Sequence, residues 1–217
     1  AIASASLAQV HKAKLQDGTT VAVKIQYPDI DHIIQTDLFS SRRIAAIYQR
    51  FDKNPMDFLP LLDELQRHLR MELDFRREVE SGDKIRALFE DDRIVHIPEF
   101  HHALCSRRVI VMEFVEGFKV TEKDEIEAAG IDASMLMPRL MRAFNKMILA
   151  FGFFHADPHP GNILVTKGDG GFPEFILLDF GLAKDLPDGF GMGIFELMFS
   201  MMTFNESAML RAFKELG

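Results

Sequence analysis

The chain has 217 residues, of which 47% are hydrophobic, and this is enough for one or two globular lobes with a hydrophobic core. With 25 basic and 33 acidic residues its net charge is −8, which argues against a general nucleic-acid-binding role. The single cysteine excludes an internal disulfide framework, and no apolar run has the length of a transmembrane helix. Because the sequence starts Ala1-Ile2-Ala3 without an initiator Met, we expect an excerpt of a longer polypeptide whose targeting segments are missing.

Residues 3–27 are predicted to form a β-hairpin, since Asp17-Gly18 is a strong turn signal between two strand-like runs. The second run, Val21–Ile25, carries Lys24 among aliphatic residues. A lysine buried without an anionic partner is costly, so we expect Lys24 to have one. In protein kinases a strand lysine in this context contacts nucleotide phosphates. The alternative is that Lys24 lies on the solvent face of the strand.

A segment of small residues, Ala3–His11, precedes this strand at the place where a protein kinase has a glycine-rich loop. Its backbone amides can approach a phosphate, but the missing glycines restrict conformations with positive φ. We therefore predict a stiffer lid over the nucleotide, and an ordinary strand edge is the alternative. The candidate phosphate-binding residues are Ala3, Ser4, Ala5 and Ser6.

Apolar spacing predicts a helix over residues 30–51, a break at Asn54-Pro55 and further helices over residues 56–90, with Gly82 ending or bending one of them. Three acids lie in this region: Glu72, Asp74 and Glu78. If residues 74–78 are helical, Asp74 and Glu78 share a face. We expect one of the three acids to pair with Lys24, as a helix Glu pairs with the strand Lys of kinases. A solvated charged face is the alternative.

Strands are predicted at residues 93–97 and 108–115, the second ending at Glu116-Gly117. In a two-lobed kinase this end is the hinge, where backbone groups meet adenine, and the candidates are Glu113 and Val115. Beyond it, the sequence predicts a helix capped by Thr121 and stopped at Gly130, then a helix over residues 136–151 that closes at Gly152. A turn at residues 187–189 and helices over residues 195–204 and 208–216 complete the chain.

The richest stretch in polar functional groups is the loop His155–Asn162, which is followed by two apolar runs, residues 163–165 and 175–178. If these runs pair as a hairpin, the side chains of Asp157, Asn162 and Asp179 converge at one end of it. Asn162 and Asp179 offer hard oxygen ligands for Mg²⁺, and Asp157 can orient or deprotonate an attacking oxygen.

Two other interpretations of this loop are open. His and Asp residues in a Pro/Gly-rich loop commonly serve as turn formers and caps. The spacing His155-x-Asp157-x-His159 also suits zinc or iron in a metallohydrolase, but the remaining histidines form no second spaced cluster. The kinase signature H-R-D-L-x-x-x-N keeps its Asp-to-Asn spacing here, although Ala156 stands in place of Arg.

Taken together in this order, the motifs resemble the UbiB/aarF-domain-containing (ADCK-type) atypical kinases, and the resemblance covers most of the chain. The motifs that carry it are the Ala-rich segment Ala3–His11, Val21-Ala22-Val23-Lys24-Ile25-Gln26-Tyr27-Pro28, Glu72-x-Asp74-Phe75-x-x-Glu78, His155-x-Asp157-Pro158-x-x-Gly161-Asn162 and Leu178-Asp179-Phe180-Gly181.

The resemblance implies an α+β, protein-kinase-like, two-lobed fold that is truncated at both ends. Residues 1–117 would form a small β-rich N-lobe with inserted helices, and residues 118–217 a mainly helical, partial C-lobe. It also implies that ATP and Mg²⁺ are bound, for ATPase or small-molecule kinase activity rather than ordinary protein phosphorylation.

By position, the resemblance makes Lys24 the nucleotide lysine, Glu78 its helix partner and Asp157 the catalytic aspartate, with Asn162 and Asp179 as metal ligands. It gives Glu72 a lysine partner in an amino-terminal extension with a Lys-x-Gly-Gln motif, which this sequence lacks. The family is tied to isoprenoid-quinone (coenzyme Q) biosynthesis and lipid homeostasis in bacteria, mitochondria and plastids. Expected partners are therefore a nucleotide and a lipid or quinone precursor, with membrane association through segments outside this sequence and no nucleic acid.

Three rival functions remain open from the residues. A pseudokinase that binds nucleotide without turnover is suggested by the glycine-free segment. An ordinary Ser/Thr kinase is disfavoured by the same segment and by Ala156, and a metallohydrolase requires His155 and His159 as ligands.

Overall fold

The computed structural model describes residues 1–4, 7–51 and 58–216, and the chain forms two compact units. Unit 1 comprises Ala1–Glu80 and Glu99–Phe114, and unit 2 comprises Ser81–Pro98 and Val115–Gly217. Residues 81–98 therefore group with the later part of the chain, whereas the sequence predicted a single boundary after residue 117. That these units serve as the two lobes of a kinase stays a prediction.

The regular elements alternate between short strands and longer helices. The strands are β1 (Ala3–Ser4), β2 (Ala8–Lys14), β3 (Thr20–Gln26), β4 (Val95–His96), β5 (Val109–Glu113), β6 (Phe118–Lys119), β7 (Phe153–Phe154), β8 (Ile163–Lys167), β9 (Pro173–Leu177) and β10 (Lys184–Asp185). The helices are α1 (Ile30–Phe51), α2 (Leu59–Glu72), α3 (Phe75–Leu88), α4 (Lys123–Ala128), α5 (Leu136–Asn145), α6 (Phe190–Met202) and α7 (Glu206–Leu216). A π-helical segment, Lys146–Phe151, directly follows α5.

The sheet of unit 1 has the strand order β1-β2-β3-β5, and all of its neighbours are antiparallel. The predicted hairpin is confirmed: β2 pairs with β3 from Ala8↔Gln26 to Lys14↔Thr20. Gly18 takes a φ of 88°, and the Asp17 carboxylate accepts the Thr19 N–H at 2.9 Å. The turn therefore depends on a residue without a Cβ and on a local side-chain acceptor.

The helical part of unit 1 begins with α1 as predicted, but the helices that follow are divided differently. The chain breaks between α2 and α3 at residues 73–74, and Gly82 lies inside α3. The prediction that Gly82 ends a segment was wrong, and Asp74 lies outside the helix that contains Glu78. The predicted break at Asn54-Pro55 lies outside the described residues.

Unit 2 contains a sheet with the order β4-β9-β8-β6 and a small pair of strands, β7 and β10. The predicted hairpin β8–β9 is confirmed, with register from Ile163↔Leu177 to Lys167↔Pro173. Its inward residues are part of the core: Ile163 is 1% exposed, and Val165, Phe175 and Leu177 are 0% exposed. This buried hairpin is the rigid support for the loops at its end.

The helices of unit 2 differ from the sequence prediction at their ends. Thr121 is not the cap of α4, because the helix starts at Lys123 after Glu122, whose carboxylate accepts the Lys119 N–H at 2.9 Å. The helix predicted over residues 195–204 begins earlier, at Phe190, and ends at Met202. No helix among the described residues is both long enough and apolar enough to cross a membrane.

Candidate functional site

The lysine of β3 lies inside unit 1. Lys24 is 6% exposed, and its Nζ donates to Oε1 of Glu78 at 2.7 Å; Glu78 is itself 5% exposed. The Lys24 ammonium also lies 5.2 Å from the ring centre of Phe75. The expectation that this lysine is buried and has an anionic partner is confirmed. The fold brings together two residues that are 54 positions apart in the sequence.

Of the three candidate acids, the structure pairs Glu78 with the lysine. Asp74 instead accepts from Arg76 at 2.6 and 2.9 Å, and this hydrogen-bonded guanidinium lowers the pKa of the Asp74 carboxyl. Asp74 and Glu78 do not share a helix face, because α3 starts only at Phe75. Glu72 is the half-buried last residue of α2, and its partner in an amino-terminal extension stays a prediction.

The first polar loop of unit 2 brings Asp157 and Asn162 together. The Asn162 side-chain amide donates to Oδ2 of Asp157 at 2.7 Å, and the Asn162 N–H donates to the His159 carbonyl at 2.9 Å within a 3-10 turn, Pro160–Asn162. The imidazole of His159 caps this turn by accepting the Gly161 N–H at 3.0 Å. Because its amide nitrogen is directed at Asp157, the Oδ1 atom of Asn162 is the end that can serve as a cation ligand.

Within unit 2, the β8–β9 hairpin links the segment that contains Asp179 to the same loop. Ile163 and Leu177 are the last register pair, and the Leu178 N–H donates to the Asn162 carbonyl at 3.0 Å. Asp179 is the next residue, and its Oδ1 accepts the Gly181 N–H at 3.0 Å. The predicted convergence of the two loops at one end of the hairpin therefore has a direct backbone connection.

His155 anchors the first loop as a local cap, which was one of the interpretations of this loop, but its burial was not predicted. It is 0% exposed, its Nδ1 accepts the Asp157 N–H at 3.3 Å, and its ring lies edge-on to Phe180 at 5.5 Å. Burial lowers the pKa of His155, although the negative charges of Asp179 and Asp157 act in the opposite direction. Burial therefore favours the neutral form of this imidazole. The available signal was the apolar pair Phe153-Phe154 immediately before it.

Ala156 adopts a φ of 64°, in the left-handed region that residues with a Cβ rarely visit. It lies between the buried His155 and Asp157, so this strained residue sets the direction in which the Asp157 side chain leaves the backbone. In the structures of proteins, such strain is concentrated at functional sites.

Of the remaining predicted nucleotide contacts that the structure describes, all except Val115 lie in unit 1. Ala3 and Ser4 form β1 and pair with Val10 and Gln9, while Ala5 and Ser6 lie outside the described residues. Glu113 ends β5 and exchanges hydrogen bonds with Glu99: its N–H donates to the Glu99 carbonyl at 2.8 Å, and its carboxylate accepts the Glu99 N–H at 3.2 Å. Val115, the first residue of the second segment of unit 2, is half-buried. Their contacts with adenine stay predictions.

The donor set fits magnesium better than zinc. Among residues 1–4, 7–51 and 58–216, no three His, Cys, Asp or Glu side chains are grouped so that they could hold a metal ion. Both candidate histidines, His155 and His159, already accept backbone N–H groups through Nδ1. Asn162 and Asp179 offer one amide and one carboxylate oxygen, and Mg²⁺ is commonly bound by few protein ligands that are completed by water and phosphate oxygens.

Comparisons with known proteins identify the relatives of this chain. The family described as "ABC1 atypical kinase-like domain" matches residues 1–213. AarF domain-containing protein kinase 1 of Gallus gallus is 36% identical over 217 residues, which cover 100% of this chain and 42% of that protein. Probable protein kinase UbiB of Glaesserella parasuis is 35% identical over 193 residues, which cover 86% of this chain and 35% of that protein. The chain thus spans less than half the length of these relatives.

Two solved structures resemble the fold. Rv3197 of Mycobacterium tuberculosis, determined with erythromycin, has a TM-score of 0.74 and 26% identity, with coverage of 99% of this chain and 53% of that one. The Rio2 kinase of Chaetomium thermophilum, determined as an ADP/Mg²⁺-phosphoaspartate complex, has a TM-score of 0.51 and 16% identity, with coverage of 93% and 51%. The predicted α+β, kinase-like fold class is confirmed.

Proposed function

Since the chain belongs to the ABC1 atypical kinase-like family, together with AarF-domain kinases and UbiB, we propose that it binds ATP with Mg²⁺ and transfers or hydrolyses the γ-phosphate. The family resemblance drawn from the sequence motifs is confirmed by these matches. The activity, the nucleotide and the metal are the proposed part.

The buried ion pair between Lys24 and Glu78 carries this proposal. A lysine and a glutamate that are both more than nine-tenths buried lose hydration on folding, and a buried ion pair is weak evidence for a purely stabilising role. In kinases, the same pair presents the lysine to nucleotide phosphates. Here the ammonium of Lys24 is likewise held in one direction by the Glu78 carboxylate. This arrangement supports the same role for Lys24.

In unit 2, three residues support the remaining roles. Asn162 and Asp179 would hold Mg²⁺, which supplies charge neutralisation on the phosphate oxygens when bound. Asp157 would accept a proton from, or orient, the attacking hydroxyl or water. Its hydrogen bond from Asn162 and the anchoring of its backbone N–H on His155 support this role, because both fix the carboxylate before a substrate arrives.

The test is ATP turnover in the protein that contains this chain, measured as phosphate release with Mg²⁺ and with EDTA. The wild type is expected to turn over ATP only with Mg²⁺, and Asp157→Asn to lower kcat by about 10²–10⁴, the usual contribution of a general acid or base. Asp188→Asn in the exposed turn before α6 is the matched control and should retain wild-type turnover. Equal rates in the wild type and Asp157→Asn, independent of Mg²⁺, would refute the proposal.

A pseudokinase is the second candidate, and the specific observation in its favour is the segment Ala3–His11, which contains no glycine. Such a protein would bind nucleotide to switch a partner without turnover. Thermal stabilisation by MgATP without phosphate release, in a sample free of inhibitors, would favour it over the first candidate. Strong phosphorylation of generic protein substrates would instead revive the ordinary Ser/Thr kinase.

For the physiological acceptor we propose an isoprenoid-quinone precursor or another lipid, in bacteria, mitochondria or plastids. This proposal is supported by the family resemblance of the sequence motifs alone. Labelling from [γ-³²P]ATP of a lipid extract, with Asp157→Asn as the control, would test it. Label found only as inorganic phosphate would leave ATPase activity and exclude the lipid acceptor from that extract.

A further inference from the structure

Gln26 is a buried polar side chain that the site described above does not use. It is 6% exposed and lies two residues after Lys24 on β3, so both side chains point to the same face of the sheet. A buried amide is tolerated only when it is hydrogen-bonded. The partners of Gln26 therefore indicate what it does.

The Gln26 side chain ties β3 to the break between α2 and α3. Its Nε2 donates to the Leu73 carbonyl at 2.7 Å, with a longer contact of 3.5 Å to the Arg107 carbonyl. Leu73 is the C-cap residue directly after α2, and it is 2% exposed. A carbonyl at a helix end has no partner within the helix, and here the strand amide supplies one.

The same small region also fixes the first residue of α3. The Phe75 N–H donates to the Arg107 carbonyl at 3.1 Å, which is the second acceptor near the Gln26 amide. The Gln26 backbone N–H donates to the Arg108 carbonyl at 3.1 Å. Strand, helix start and the segment before β5 thus meet at Gln26.

This anchor lies close to the Lys24–Glu78 pair in the chain. Glu78 follows Phe75 by three residues, which is almost one helical turn, and the Phe75 ring contacts the Lys24 ammonium. A small rotation or shift of the first turn of α3 would therefore move the Glu78 carboxylate away from Lys24. On the strand side, the side chain that is hydrogen-bonded to the backbone at this break is Gln26.

We propose that Gln26 is a positioning residue that holds α3 in the orientation in which Glu78 directs Lys24. The effect on nucleotide binding rests on the proposed function, whereas the effect on the ion pair does not. The competing explanation is that Gln26 only stabilises unit 1 as a whole. The two explanations differ in whether the Lys24 amine becomes selectively more accessible in a folded variant of Gln26.

The first experiment needs no nucleotide. Native protein is labelled briefly with an amine-acylating reagent, and the rate at Lys24 is measured by mass spectrometry relative to the exposed Lys14. Gln26→Met, which keeps the length of the side chain but cannot donate, is expected to raise the rate at Lys24 by about tenfold or more. Gln66→Met, which loses a half-buried amide bonded to Arg42 at 2.9 Å, is the matched control and should leave the rate at Lys24 unchanged.

The acylation rate at Lys146 serves as the control for a general loss of structure. Lys146 is a part-buried lysine of unit 2 that is paired with Asp92 at 2.9 Å. A selective rise at Lys24 supports the proposal. A parallel rise at Lys24 and Lys146, or no rise at Lys24, overturns it. If Gln26→Met does not fold, Gln26→Asn takes its place, since a shorter amide should weaken the anchor and give a smaller selective rise.

The second experiment measures the Kd of MgADP for the wild type, Gln26→Met, Glu78→Gln and the double variant. Gln26→Met is expected to weaken binding about tenfold, which is about 1.4 kcal/mol, and to have no further effect when Glu78 is already replaced. If the losses of MgADP affinity in Gln26→Met and Glu78→Gln add up in the double variant, Gln26 does not act through Glu78 and the proposal is overturned. If the wild type binds no nucleotide, the proposed function fails, and the selective labelling of Lys24 still decides the role of Gln26.

Discussion

Removing the lysine of the buried ion pair should strongly destabilise unit 1. In Lys24→Met the Glu78 carboxylate, 5% exposed, remains in the interior without the ammonium that lies 2.7 Å from it. Breaking a buried ion pair from one side typically costs about 3–5 kcal/mol, because a buried charge is left uncompensated. The double variant Lys24→Met/Glu78→Leu removes both charges and should recover most of this loss, since apolar replacements of buried pairs are often close to neutral.

The assay is equilibrium unfolding in urea, with midpoint and slope fitted for the wild type, both single variants and the double variant. The exposed pair Lys123–Glu127, at 3.6 Å with side chains 67% and 53% exposed, supplies the control. Lys123→Met should cost less than about 1 kcal/mol, as is usual for solvated pairs. If Lys24→Met costs no more than Lys123→Met, or if the two single losses simply add in the double variant, the pair is not coupled in the interior and our interpretation is wrong.

Three further predictions concern the loops and helices of unit 2. Burial lowers the pKa of His155, so below about pH 6.5 the unfolded chain binds more protons than the folded one, and the free energy of unfolding decreases as the pH falls. His155→Gln should reduce this loss of stability in thermal melts below about pH 6.5. Ala156→Gly relieves a φ of 64° and should be stabilising or neutral within about 1 kcal/mol, whereas Ala46→Gly in the exposed interior of α1 should cost about 1 kcal/mol in urea unfolding. Gly191→Ala places a Cβ 3.0 Å from the Leu149 carbonyl oxygen and should cost about 1–3 kcal/mol by the same measurement.

Each of these predictions has a clear contrary result. The same pH dependence in the wild type and His155→Gln would mean that this histidine does not titrate differently in the folded state, with His32→Gln in α1 as the control. A loss for Ala156→Gly as large as for Ala46→Gly would contradict the strain at that position. An unchanged midpoint for Gly191→Ala would mean that α6 does not pack closely on the π-helical segment.

The parts of the fold that the sequence predicts are those governed by local rules. Asp17-Gly18 fixed the first hairpin, because the turn residues and the apolar runs beside it agree, and the same holds for the runs that became β8 and β9. The lysine in a Val/Ile run was correctly expected to be buried and paired. In each case a local pattern and the tertiary environment required the same structure.

The parts that the sequence did not predict depend on distant contacts. The break between α2 and α3 contains neither Gly nor Pro, and the apolar pattern runs through it. It is accompanied by a tertiary hydrogen bond from Gln26 to the Leu73 carbonyl. The same break decides that Glu78, not Asp74, faces Lys24. The role of Ala156 was also hidden, since a positive φ has no local signature in this loop.

The central proposal is that the chain binds nucleotide together with Mg²⁺, and calorimetric titration with MgADP tests it most directly. The wild type should bind with a Kd that weakens at least tenfold when EDTA removes the metal. Lys24→Met/Glu78→Leu and Asp179→Asn should each lose at least tenfold in affinity while the Asp188→Asn control does not. Nucleotide affinity that is the same in all four proteins, or no magnesium-dependent binding by the wild type, would contradict the proposal.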